Sequence, residues 1–233
     1  MNLLSSTSVF GFYTLLSRVL GYIRDILIAF FLGTSIYADA FFVAFRLPNT
    51  FRRLFAEGTF NAAFIPSYAE AKLEGKDSGK KFADEVFNLL LFFLIFLILI
   101  IEIFTPFVVY IIAPGFYVDP EKFSLAEEFT RITFPFLLFV SLSSFLSGIL
   151  NTNNKFAAAA AAPIVLNIVL ILSLILSFYF DKNFAKNLSI GVTLSGVLQF
   201  IILIFFTKKF YFPNIKLNLN FSHKIKFFFR KLL

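Results

Sequence analysis

Cysteine and tryptophan are absent from this 233-residue chain, and histidine occurs once. Without cysteine there is no disulfide, no thiolate metal ligand and no cysteine nucleophile. The one histidine, His223, lies in a basic tail, which excludes a histidine-based metal cluster. Charge is scarce too. Only 15% of the residues are Asp, Glu, Lys or Arg, against about 25% in ordinary soluble domains. No HExxH, phosphate-binding loop, GxSxG or CxxC pattern occurs. The reading is therefore a protein that is not an enzyme and calls for no metal or cofactor.

What is present is apolar. Hydrophobic residues make up 59% of the chain and its mean hydropathy is +0.85, which places it among integral membrane proteins. The 38 phenylalanines reflect a codon bias toward A and T as much as any aromatic function.

A membrane span needs about 20 apolar residues, and the chain offers six such segments. They run from about Val9 to Leu32, Tyr37 to Tyr68, Phe82 to Ile112, Phe129 to Leu150, Ala157 to Phe180 and Leu188 to Phe206. The sequence Ala38-Asp39-Ala40 has the look of a signal-peptide cleavage site. Arg18, Arg24 and Asp25 speak against cleavage, because a signal peptide's apolar region is short and uncharged. Pro48 and Pro66 sit in the second segment, and Pro48, which removes a backbone donor, is expected to kink or break the helix there.

The connections fix a topology. Lys72, Lys76, Lys80 and Lys81 follow the second segment, Lys155 the fourth, and Lys208 and Lys209 the sixth. The connection from Tyr117 to Glu128 is acidic and polar. By the positive-inside rule both ends are cytoplasmic. The fold class is thus all-α, with about six transmembrane helices over 1–207. Residues 208–233 form a basic, Phe-interleaved segment suited to lie on anionic lipid. Membrane lipids, not nucleic acid, are its expected partner.

One stretch breaks the apolar pattern. Between Ser17 and Gly58 stand Arg18, Arg24, Asp25, Asp39, Arg46, Arg52, Arg53 and Glu57. Each charge at such depth costs about 2.5–3.5 kcal/mol on insertion scales. Asp39 and Arg46 share a helix face, and Arg46, Asn49 and Arg53 fall near one face as well. Arg52 and Arg53 could instead snorkel to the inner surface. The excess is positive, so the natural ligand is an anion, and arginine grips phosphate bidentately.

Three parts of this stretch, SRVLGYIRD, ADAFFVAFRLPN and RRLFAEGTFNAAFIP, resemble the opening of the MurJ (MviN) family of lipid II flippases. Further along, APGF at 113–116, ITFPFLLFVSLSSFLSGILNTNNKFAAAAAAP at 132–163 and GVLQ at 196–199 resemble it in the same order. The resemblance implies two six-helix lobes around a cationic cavity, with two further helices forming a groove for the lipid tail. It implies movement of an undecaprenyl-pyrophosphate-linked precursor between leaflets of the bacterial inner membrane. The family's important arginines and aspartate match Arg18, Arg24, Arg52 and Asp39, with Asn49, Glu57, Arg46 and Arg53 in support. Lipid II is the implied partner, with cell-wall synthesis proteins beside it. Coupling to a monovalent cation or to the membrane potential stays open. Family members are about twice as long, so the expectation is a fragment carrying the first lobe only. Two rivals stay open: a related exporter of drugs or polysaccharide lipids, and a non-transporting lipid-binding scaffold.

Overall fold

A computed structural model describes residues 3–57 and 59–216, with side chains at 8, at 11–53 and from 60 onward. Its regular elements are α1 (Leu3–Leu32), α2 (Ile36–Glu57), α3 (Thr59–Leu73), α4 (Lys76–Ile103) and α5 (Thr105–Ile112), then a 3-10 turn (Pro114–Val118). After it come α6 (Pro120–Thr133), α7 (Phe136–Thr152), α8 (Phe156–Phe180) and α9 (Phe184–Thr207). No strand occurs among the described residues. All six apolar segments are helical, the second, third and fourth each as a pair of helices. Among the described residues, four stretches are long and apolar enough to cross a membrane: α4, α6 with α7, α8 and α9. All four lie outside the charged stretch 17–58.

The second segment does not break at Pro48. Pro48 and Pro66 both sit inside continuous helices. The division falls elsewhere, with α2 ending at Glu57 and α3 starting at Thr59. The reason at Pro48 is a replacement donor. A proline cannot supply the amide that the carbonyl four residues earlier needs. That carbonyl belongs to Ala44, and the hydroxyl of Thr133 on α6 donates to it at 3.1 Å. Thr133 is fully buried, so no water could serve instead.

The same arrangement recurs where helices do break. Pro106 frees the carbonyl of Glu102 at the junction of α4 and α5. Arg131 Nη1 donates to that oxygen at 2.7 Å and Thr105 Oγ1 at 3.0 Å. Near Pro135, between α6 and α7, Thr193 Oγ1 of α9 donates to the Ile132 carbonyl at 2.5 Å, a cross-helix tie at a carbonyl three residues before the proline and not the one it orphans. Helix α6 supplies a donor in both repairs, through Thr133 and Arg131.

Two cores hold the bundle. The first is aromatic and joins α3, α4 and α7. Phe64 stacks on Phe60, Tyr68 and Phe82, and its ring lies 4.8 Å from that of Phe145. The second brings together α2, α6, α8 and α9 through Phe41, Phe129, Leu170 and Val192. Glycines let α7 approach its neighbours on both sides. A Cβ at Gly148 would stand 2.8 Å from Phe64 Cδ1, and one at Gly196 would stand 2.7 Å from Phe136 Cδ2.

After α9 the chain turns back along α4. Tyr211 donates its hydroxyl to Asp84 at 2.8 Å, and the Asn214 amide reaches the same carboxylate at 3.2 Å. Asn88 Nδ2 donates to the Asn214 carbonyl, while its Oδ1 accepts the Lys216 amide. Burial, and then the Asp84 carboxylate beside it, hold the Tyr211 phenol well above its usual range. Of the basic segment 208–233, residues 211–216 are thus a non-helical strap. Residues 217–233, with His223, lie outside the described residues.

Candidate functional site

Ser17, Gly21 and Arg24 recur on one face of α1, at the spacing of successive helical turns. That face packs on α8, against Asn167. The asparagine is 5% exposed and lies in an otherwise apolar run. Its Nδ2 donates to the Ser17 carbonyl at 2.9 Å, and its Oδ1 accepts from Arg24 Nη1 at 2.8 Å. Gly21 faces the same amide. A Cβ there would already stand 3.6 Å from the amide nitrogen, in van der Waals contact.

Asp25 holds the other edge of the same guanidinium. Arg24 Nε and Nη2 donate to Asp25 Oδ1 at 2.9 and 2.7 Å. The Arg24 side chain is 19% exposed. Each of its Nη nitrogens carries two N–H groups, so one on each remains after these bonds. The group is oriented from two sides and keeps a pair of donors, the arrangement that suits an oxyanion. Arg18, a turn and a half earlier, is exposed and has no hydrogen-bond or ion-pair partner among the described residues.

On α2 the candidates are spread along the axis. Arg52 donates from Nε to Asn49 Oδ1 at 3.1 Å, so Asn49 fixes an arginine one turn away. Arg46 and Arg53 are exposed and have no polar side-chain partner among the described residues. The side chain of Glu57 lies outside the described residues. Asp39 sits in the first turn of α2 and pairs with Lys122 Nζ of α6 at 2.5 Å. At 1.5 Å per residue, Asp39 and Arg52 stand about 20 Å apart along the helix.

The structure thus carries these candidates on two helices, with Asp39 and Arg52 well apart along α2. Arg18 and Arg24 are carried by α1, which leans on α8. Arg46, Arg52 and Arg53 are carried by α2, which leans on α6 and α7. Among the described side chains no hydrogen bond or ion pair joins the two sets. Two polar partners escaped the sequence reading, Asn167 and Lys122. Asn167 left a faint signal, a lone amide inside the apolar eighth helix. Lys122 left none, because it reads as one more charge in a polar connection. Glu102 is tied up elsewhere, 4.0 Å from the Arg131 guanidinium.

Comparison with known proteins bears on this arrangement. Residues 28–233 match the family described as lipid II flippase MurJ. The probable lipid II flippase MurJ of Rhizobium meliloti (strain 1021) is 47% identical over 169 residues, covering 72% of this chain and 32% of that protein. Its counterpart in Rickettsia prowazekii (strain Madrid E) is 40% identical over 209 residues, 90% of this chain and 41% of that one. That of Aquifex aeolicus (strain VF5) is 35% identical and aligns with all of this chain and 45% of its own. A solved structure titled lipid II flippase MurJ, inward closed conformation, superposes with a TM-score of 0.81 at 30% identity, over 96% of this chain and 46% of that one. The chain thus spans less than half the length of these relatives.

Proposed function

This chain belongs to the lipid II flippase MurJ family, and from that premise we propose that it supplies headgroup-binding helices to a transporter of lipid II. The membrane is the bacterial inner membrane, crossed six times by these residues with both ends cytoplasmic. In this reading the whole protein is a transporter that moves its substrate without converting it, which membership of a flippase family supports. One observation of the site carries the reading: the Arg24 guanidinium, held by Asp25 and Asn167 with an N–H left on each Nη.

In this reading the pyrophosphate meets Arg24 first, with Arg18 adding charge on the same helix. Arg52, steadied by Asn49, and Arg46 and Arg53 supply positive charge from α2. Asn49 acts through Arg52, and Asp39 and Glu57 set the charge balance of α2. In the longer protein the cycle would be inward-open binding, occlusion and outward release. Rocking of one lobe on another accomplishes this, driven by a monovalent cation or the membrane potential. Lipid II and membrane lipids are the partners, and cell-wall synthesis proteins are the expected neighbours.

The test is genetic. In the full-length protein, Arg24→Ala should fail to rescue a strain depleted of its own flippase, at normal protein abundance. Arg24→Lys should fail as well, because an ammonium cannot keep three directed bonds and a bidentate grip together. Full rescue by Arg24→Ala would remove this residue, and with it the reading of the site.

A further inference from the structure

The Asp39–Lys122 pair has a construction of its own. Lys122 lies in the first turn of α6, where the helix dipole favours an anion over a cation. Three features hold it there. The Asp119 side chain caps the helix and accepts the Lys122 backbone amide at 3.1 Å. The Lys122 Nζ lies 4.4 Å from the centre of the Phe116 ring, a cation–π contact. Its charge then meets Asp39. The lysine side chain is only 21% exposed, although it lies at the end of a helix. Asp39 stands in the first turn of α2, where the dipole favours its carboxylate. Deeper along the same two helices, Thr133 donates to Ala44. Helices α2 and α6 are thus tied at two levels, and the outer tie is ionic.

We propose that Asp39 works as a strut to Lys122, coupling α2 to α6, and does not contact the transported headgroup or a coupling cation. The arginines of α2 then move with α6 as one body. Asp39 and Lys122 are positioning residues, and only the transport readout of the proposal rests on the function proposed above.

The test uses the full-length protein in the flippase-depleted strain. Asp39→Asn and Lys122→Gln should each lower rescue by a similar factor, about tenfold. Lys122→Arg should keep it. The exchange Asp39→Lys with Lys122→Asp should restore most of what either of those changes loses alone, since the reversed pair again sets one anion and one cation across the two helix starts. Normal rescue by Lys122→Gln beside loss in Asp39→Asn would overturn the strut, and so would failure of the exchanged pair at normal abundance. A second measurement does not depend on transport. In the purified protein the melting-temperature shifts of Asp39→Asn and Lys122→Gln should be non-additive. Additive shifts would also overturn the strut, even with Arg24 essential. Non-additive shifts with Arg24→Ala fully active would keep the strut and sink the headgroup reading instead.

Discussion

Helices α1 and α7 are opposite cases. Every residue of α7 from Val140 to Leu146 is buried, wedged among α3, α4, α8 and α9. Among the described side chains of α1, only Ile28 and Leu32 are buried, and α8 is its main support. Phe12, Leu15, Tyr22 and Phe30 point outward from α1 without cover. The helix that carries Arg18 and Arg24 is thus attached along one line, while the scaffold turns about another. Attachment by a polar seam fixes the arginine yet leaves most of the helix surface free for lipid or further protein.

The largest effect should come from breaking that seam. Beside Arg24→Ala, Asn167→Leu should reduce rescue by about tenfold, because Arg24 keeps Asp25 but loses its second guide. Unchanged rescue would show that α8 carries α1 without orienting its arginine. Next, one substitution should have opposite signs in the two regions. Gly148→Ala should cost about 1–3 kcal/mol, as the new methyl meets Phe64. Gly11→Ala on α1 meets nothing within 4 Å and should stabilise by about 0.5–1 kcal/mol through helix propensity. Thermal unfolding of the purified variants reads both signs.

The buried side has a sharper probe in Thr133. Thr133→Val leaves the Ala44 carbonyl unpaired and should cost about 1–3 kcal/mol. In a Pro48→Ala background the backbone amide returns, and the same change should cost much less. Equal costs in both backgrounds would refute the replacement-donor account. The smallest effect is expected at the strap. Tyr211→Phe should cost about 1 kcal/mol, or about a fivefold larger open population. Tryptic cleavage at Lys208, Lys209 and Lys216 measures it.

Much of this was legible from the chain alone. Runs such as Leu89–Ile101 can only be buried or lipid-facing, and the lysines of 72–81 mark one side. The local pair Arg24–Asp25 could be read off adjacency. What escaped reading was everything set by a distant residue. Pro48 announced a lost amide, but nothing near it announces that a threonine on α6 supplies the replacement donor. Nothing around Asp39 points to its partner, a lysine in the first turn of α6. Asn167 is a single letter among leucines and isoleucines until α1 lies against it. Periodicity reports which face is apolar. It does not report which helix that face will meet.

The strap has a consequence for the order in which the protein is made. Asp84 and Asn88 emerge early, on α4, yet their partners at 211–216 follow only after five more helices. During synthesis these two side chains must wait in water or on lipid headgroups, and the aromatic core beside them lacks Tyr211. The bundle therefore fastens last at a place built among the first. A chain halted before residue 211 would hold these helices without that fastening.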